Sequence, residues 1–186
     1  MIHISIKKTK KPPEEKYLPL SNYANEEVIF LKLGFITACF PELNLEEIVK
    51  WASSEGFQAL EVACWPSETK DRAYSGVHHI DVVNLDKAGA GKIKKLFESH
   101  GMEISSLAYY PNNLDPDMEK RKKHHGHLKK VIDAASLLGV KLVGTFTGRD
   151  PKKSTDESLK EFSEVFPPLV KYASGKKVKL MIENCP

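Results

Sequence analysis

Leu-Phe-Glu-Ser-His-Gly-Met-Glu-Ile-Ser-Ser-Leu-Ala, residues 96–108, carries a helix end, a glycine stop and a strand in one short run. Leu96 and Phe97, with Ile93, are the inward positions of a helix predicted from about Asp86 to His100. Gly101 ends that helix, and the apolar run Glu103 to Ala108 follows at once as a strand. The same joint recurs as Ser54-Glu55-Gly56-Phe57 and, shortened, as Leu138-Gly139-Val140. Each leads from a helix straight into a strand, whereas the connections that leave strands are long and polar. Short joints at one end and long ones at the other suit a barrel whose functional loops all lie on one face.

Working outward from this joint, the alternation of strand and helix extends in both directions without a break in composition. Lys32 to Ile36 reads as the first strand; Asn44 then caps a helix with Leu45, Ile48, Val49 and Ala52 on one face. The second strand is Ala59 to Ala63, followed by a loop through Pro66 and Gly76. After the third strand come Pro111, Asn112 and Asn113, then a long helix from Pro116 to Leu138 closed by Gly139. Lys141 to Phe146 is the fourth strand. Ser154 or Thr155 caps a fourth helix with Leu159, Phe162 and Val165 in its core stripe, interrupted at Pro167 and Pro168. Val178 to Ile182 is the fifth strand. The spacing is that of βαβ units, so the strands are expected to be parallel with helices outside. Periodicity alone leaves an open doubly wound sheet as an alternative; the loop asymmetry favours an α/β fold of the (β/α)8 TIM-barrel type, with about five parallel strands and their outer helices. A whole barrel takes about 250 residues and this sequence has 186, so the barrel is expected to be incomplete at its C-terminus. Residues 1–31, with lysines up to Lys11 and then Pro12 and Pro13, are expected to be a disordered N-terminal extension, leaving 32–186 as the barrel domain.

Charge narrows the functional classes. Lys and Arg number 28 against 25 Asp and Glu, a net charge of +3, far from the balance of a dedicated nucleic-acid binder. No apolar run is long enough to span a membrane, and the N-terminus lacks a signal peptide's apolar core. The three cysteines, Cys39, Cys64 and Cys185, have no CxxC spacing and read as free thiols at strand ends. The expectation is a cytoplasmic protein that contacts neither nucleic acid nor membrane.

The chemistry-bearing positions are few. Glu183, in Met-Ile-Glu-Asn-Cys-Pro (181–186), falls at the carboxyl end of an apolar strand, where a carboxylate is a candidate hard-metal ligand or a partner of a neighbouring lysine. His78 and His79 follow the second strand, where a neutral imidazole can hydrogen-bond a hydroxyl or polarise a carbonyl. Trp65 and Tyr110 follow the second and third strands and can wall a sugar ring or pack under a loop. Arg149 beside Asp150 reads as a surface ion pair, and Gly-Ala-Gly-Lys (89–92) lacks phosphate-loop spacing. Arg-Lys-Lys-His-His-Gly-His (121–127) places His124 and His127 one helical turn apart, yet is expected to be a solvated helix face.

Lys-Leu-Gly-Phe-Ile (32–36), Ala-Leu-Glu-Val-Ala (59–63), His-His-Ile-Asp-Val (78–82), Ser-Leu-Ala-Tyr-Tyr-Pro-Asn (106–112), Gly-Thr-Phe-Thr-Gly-Arg-Asp (144–150) and Ile-Glu-Asn-Cys-Pro (182–186) together resemble the sugar phosphate isomerase/epimerase family with the xylose isomerase-like barrel. The resemblance covers about residues 31–186 and implies one divalent metal (Mn, Mg, Co or Zn) held by strand-end Glu, Asp, His and Glu residues on strands five to eight. It also implies proton transfer beside a substrate carbonyl by the two metal-bound glutamates. Glu183 matches the first of these residues, both as metal ligand and as catalytic group; His79 matches the family's His-Ile-Asp segment as a substrate-binding residue. The other ligands have no counterpart before Pro186, so this chain is expected to be an N-terminal portion, inactive alone, acting on a sugar or sugar phosphate. Two alternatives stand beside this expectation. One is a non-catalytic half-barrel that forms a homo-oligomer or assembles with a complementing C-terminal half, because an open barrel leaves strand edges unpaired. The other, less favoured, is an abasic-site endonuclease of the endonuclease IV type, against which stand Tyr109, Tyr110 and Pro111 after strand three in place of histidine.

Overall fold

Two sheets organise the described residues. The structure, a computed structural model, describes residues 5–7, 30–67 and 76–183. Strands β1 (Ser5–Lys7) and β2 (Phe30–Lys32) form an antiparallel pair, with Ser5 opposite Lys32. Strands β3 (Gly34–Ile36), β4 (Ala59–Ala63), β5 (Glu103–Ala108), β6 (Leu142–Phe146) and β7 (Lys179–Glu183) form a second sheet in that sequential order, every pair parallel. Five parallel strands in chain order, joined by helices, are a section of a barrel wall and not a doubly wound sheet, whose order reverses at a switch point.

The expected first strand divides at Leu33: Phe30–Lys32 belongs to the antiparallel pair and only Gly34–Ile36 to the barrel sheet. Leu33 donates its backbone N–H to the Gln58 side chain and its carbonyl accepts from the N–H groups of Gln58 and Ala59, which anchors the break. Gly34 is required beyond it, since a Cβ there would strike the Ala59 carbonyl of the neighbouring strand. The expected disordered extension lies mostly outside the described residues, as does Cys185.

The four helices α1 (Leu45–Ser54), α2 (Lys87–Ser99), α3 (Met118–Leu138) and α4 (Thr155–Gly175) start where side chains satisfy free backbone N–H groups. Asn44 with Glu47, and Ser154 with Glu157, form reciprocal capping boxes; Asp86 and Asp117 cap the other two. Gly139, at φ 77°, ends α3 in the left-handed conformation that glycine adopts without strain. On α1, Leu45, Ile48, Val49 and Ala52 are buried as the periodicity predicts. Each large aliphatic chain buried this way contributes about 1.5–3 kcal/mol. Leu60, Val62, Leu107 and Val143 meet Ile48, Val49, Leu128, Val131, Ile132 and Leu169 in one core cluster between sheet and helices.

Helix α4 corrects the sequence-based expectation twice. Leu159 is exposed, and the buried positions are Phe166, Leu169 and Ala173. The helix also runs through Pro167 and Pro168 without interruption. Both prolines are on the exposed side, and Ser163 and Glu164, whose carbonyls lose their helical partners there, are exposed as well, so those acceptors are open to solvent while Phe166 and Leu169 hold the helix on the core.

Candidate functional site

Because strand residues alternate between faces, the positions between those packed on the helices share the inner face. On the first four strands most of them are small or polar, namely Gly34, Ala59, Glu61, Ala63, Ser106, Ala108 and Gly144, with Ile36, Leu142 and Phe146 as the larger ones. The interior of a barrel is ordinarily filled by bulky branched chains; here the space is taken by a side chain from the rim. Tyr110, two residues past the end of β5, is buried, and its hydroxyl donates to Glu61 Oε1 at 2.7 Å. A Cβ at Gly144 would collide with that hydroxyl and stand 2.7 Å from Glu61 Oε1, so this site requires glycine. The Tyr110 ring rests against Phe146, centroids 4.6 Å apart, and against Trp65 at 6.0 Å. Burial and then the nearby Glu61 and Glu183 carboxylates push the Tyr110 phenol well above its ordinary range. The phenol therefore stays protonated and serves as a donor.

Glu183 is the last residue of β7, in register with Phe146 of β6. The strand-end position inferred from sequence is thus the observed one; Tyr110 packs on Phe146, the register partner of Glu183, and Trp65 packs on Tyr110. Trp65, half-buried, also meets Tyr109 edge-to-face at 6.1 Å.

His79 stands apart from this cluster. Thr37 Oγ1 accepts the Ala63 N–H at 2.9 Å and lies 2.8 Å from His79 Nδ1, while His79 Nε2 lies 3.0 Å from the Leu43 carbonyl. A carbonyl only accepts, so Nε2 carries the proton and Nδ1 accepts from the Thr37 hydroxyl. Burial lowers the imidazole pKa, consistent with that neutral form. The ring ties the end of β4 to the loop before α1, and both its nitrogens are engaged by protein. It borders a cleft of about 520 Å³ lined by Pro41, Glu42, Leu43, Asn44, Gly76, Val77 and His78.

The basic stretch on α3 is not the solvated face expected. His124 Nδ1, His125 Nε2 and His127 Nε2 each lie within 3.0 Å of the carbonyls of Asn112, Asn113 and Cys64 respectively. Arg121 is buried, bonding the Asp115 carbonyl and pairing with Glu161 at 2.8 Å. One helix face therefore holds the loops that follow β4 and β5, because those loops present carbonyls the sheet leaves unpaired. Asn113, wholly buried, extends the scaffold by donating to Thr145 Oγ1 and the Phe146 carbonyl. Glu61 and these carbonyl contacts escaped sequence reasoning. A solitary carboxylate inside the otherwise apolar Ala-Leu-Glu-Val-Ala run was the signal available for the first.

Cys39 is exposed and donates to the Ile36 carbonyl; Cys64 is fully buried. Burial pushes both thiols up, away from the thiolate form. A divalent metal takes four or more donors, and among the described residues no three His, Cys, Asp or Glu side chains converge to hold one. The described residues therefore do not by themselves fit a metal ion. No helix among them is long and apolar enough to cross a membrane.

Comparison with known proteins fits this geometry. No curated protein matches in sequence. Among solved structures, the chain is similar to D-psicose 3-epimerase from Clostridium cellulolyticum H10, solved with D-tagatose, at 17% identity and TM-score 0.59, covering 79% of this chain and 50% of that one. It is similar to the IOLI protein with a bound zinc atom at 21% identity and TM-score 0.60, covering 82% and 51%. The probable 3-DHS dehydratase AsbF of Bacillus anthracis aligns at 15% identity and TM-score 0.57, covering 80% and 50%. The chain thus spans about half the length of these solved relatives. A family profile described as xylose isomerase-like TIM barrel matches residues 49–186. With that profile covering most of the chain, and five parallel strands in sequential order beneath a rim carrying Glu183, the chain belongs to the xylose isomerase-like TIM-barrel family.

Proposed function

We propose that the chain supplies the first five β/α units of a metal-dependent sugar or sugar-phosphate isomerase/epimerase, with Glu183 as the carboxylate that exchanges a proton with the carbon beside the substrate carbonyl. The observation that carries this reading is the position of Glu183 at the carboxyl end of β7, in register with Phe146, on which the Tyr110 ring rests. Trp65 and Tyr110 wall the substrate ring, with the Tyr110 hydroxyl held on Glu61. His79 contributes by holding the loop through Thr37 and Leu43, since its nitrogens are already engaged. A divalent ion, were one held by Glu183 and further ligands, would supply polarisation of the substrate oxygens. Glu183 offers one ligand, so the others come from further strands in the assembled protein, and the described units alone are inactive. The setting is a cytoplasmic, reducing one, in keeping with thiols that carry no disulfide among the described residues.

A second reading has its own observation. Strands β3 and β7 end the sheet, and Leu33 and Ile182 beside these edges are 47% and 41% exposed. Such edges favour assembly with a complementing half or a second copy. The test of the first reading is hydrogen exchange in D2O at the carbon beside the carbonyl of D-fructose, followed by NMR with Mn2+ present. The chain completed by a segment carrying three further β/α units is expected to exchange that hydrogen, and Glu183→Gln to abolish the exchange. Equal exchange by Glu183→Gln would overturn it.

A further inference from the structure

A second cleft, of about 310 Å³, opens between the loop that follows β4 and helix α3. Trp65 and the exposed Val83 give it an apolar wall; His78, Asp81, Asn84 and, from α3, His127 give it polar groups. That volume is at the lower end of the range for small-molecule sites and suits a single ring. Hydrogen bonds fix what the polar groups offer. His78 Nδ1 lies 2.8 Å from the Gly76 carbonyl, and His127 Nε2 lies 2.8 Å from the Cys64 carbonyl. A carbonyl only accepts, so each of these nitrogens carries a proton, and the neutral ring keeps its other nitrogen as an acceptor. Asp81 Oδ1 accepts the Val83 and Asn84 N–H groups at 3.1 and 3.3 Å, and Oδ2 accepts the Asn84 side-chain N–H at 2.7 Å. The carboxylate is held in place with acceptor capacity left on Oδ2, and the Asn84 amide oxygen is a further acceptor.

The ligand's chemistry follows by elimination. The lining holds no Lys or Arg, and Asp81 repels anions, which disfavours a phosphate or carboxylate. A cation would meet a carboxylate already bonded three times by its own loop, and no three metal-binding side chains converge among the described residues. A wholly apolar ligand would leave Asp81, Asn84 and the imidazoles without partners. What fits is a neutral ring with C–H faces to lie against the indole and hydroxyls to donate to the carboxylate, the amide oxygen and the imidazole nitrogens, which is a pyranose. Trp65 joins this cleft to the aromatic cluster of the candidate site, since it lines the cleft and also packs on Tyr110, ring centroids 6.0 Å apart. We propose that the cleft is a second sugar subsite, so that the substrate is a glycosylated sugar: one ring sits against Trp65, His78, Asp81 and Asn84 while the reacting sugar stands against Tyr110. That second clause rests on the isomerase/epimerase reading; ring binding in the cleft does not.

The test is a titration of the 186-residue chain, labelled with 15N in tryptophan and histidine, with methyl β-D-glucopyranoside, followed by NMR. The Trp65, His78 and His127 ring resonances, each assigned by its loss in a single variant, are expected to move along one saturable curve while the Trp51 indole, outside the cleft, stays still. His78→Ala and Asn84→Ala are each expected to weaken binding about two- to tenfold, the loss of one hydrogen bond; if circular dichroism shows that one of them does not fold, the other decides. A sugar that moves none of the three resonances, that moves Trp65 without both histidines, or that binds a folded variant with unchanged affinity would overturn the proposal. Saturable movement of the same resonances by inorganic phosphate would overturn it as well, by marking an anion site. In the chain completed by three further β/α units, isomaltulose, a glucosylated ketose, is expected to exchange the hydrogen beside its carbonyl with a kcat/KM about two- to tenfold above that of D-fructose, and Asn84→Ala to remove the difference; a preference for D-fructose would refute the substrate class. The isomerase/epimerase reading fails separately, by hydrogen exchange that survives in Glu183→Gln, an outcome that leaves the titration intact.

Discussion

Gly144→Ala is the smallest change that tests the interior of this half-barrel. The added Cβ would meet the Tyr110 hydroxyl and Glu61 Oε1 at once. Neither partner can retreat easily: Tyr110 is wedged between Phe146 and Trp65, and Glu61 is fixed on a fully buried strand. Overpacking a core costs about 1–3 kcal/mol, and loss of a hydrogen bond to a buried charged group costs about 1.5–3 kcal/mol. Because relief of the clash breaks the bond, the two partly substitute for each other, and we expect a destabilisation of about 2–4 kcal/mol. For a chain of this size that lowers the melting temperature by roughly 4–16 °C. Urea unfolding followed by circular dichroism measures it. Tyr110→Phe removes the nearest oxygen, so the double variant should be less destabilised than the sum of the single ones by at least about 1 kcal/mol. A Gly144→Ala cost below about 0.5 kcal/mol, together with additive singles, would refute the packing described.

Three further outcomes follow from the same contacts. His79→Ala breaks the bridge from Thr37 to Leu43 and should cost about 1–3 kcal/mol in urea unfolding; a neutral result would mean the ring does not hold the loop. Burial holds the pKa values of His79, His125 and His127 below the ordinary value, so the unfolded chain binds more protons than the folded one between the folded values and about 6.5. Their stabilisation is complete above that range and is lost as pH falls through it; the urea midpoint should be lower at pH 5.5 than at pH 7.5, and a flat profile would contradict the assignment. Ser154→Ala removes one half of the α4 capping box and should cost about 1 kcal/mol, whereas Ser154→Asp should restore most of it.

The fold was legible in the sequence because its signals are local. Capping residues Asn44 and Ser154, glycine stops at Gly56, Gly101 and Gly139, and the apolar stripe of α1 each act within a turn or two of chain, and each is found where the pattern places it. What the sequence shows of the candidate site is placement along strands: Glu183 ends β7, and Trp65 and Tyr110 follow β4 and β5. What stayed hidden depends on contacts between distant residues. The Glu61 bond to Tyr110 spans 49 positions and that of His127 to the Cys64 carbonyl spans 63, and no periodicity reports them. Charge composition likewise suggested a solvated face on α3, when unpaired loop carbonyls had drawn its histidines inward. The α4 stripe failed for a related reason: Leu159, one turn into the helix, lies beyond the reach of the core that Phe166 and Leu169 touch.

The central claim is that the described units carry one carboxylate of a strand-end site and depend on further strands for the rest. Isothermal titration of the purified 186-residue chain with Mn2+, repeated with Zn2+, tests it most directly. The account predicts no stoichiometric, tight binding of either ion by the chain alone. One tightly held ion per chain, lost in Glu183→Gln, would contradict it by revealing a complete site within these residues.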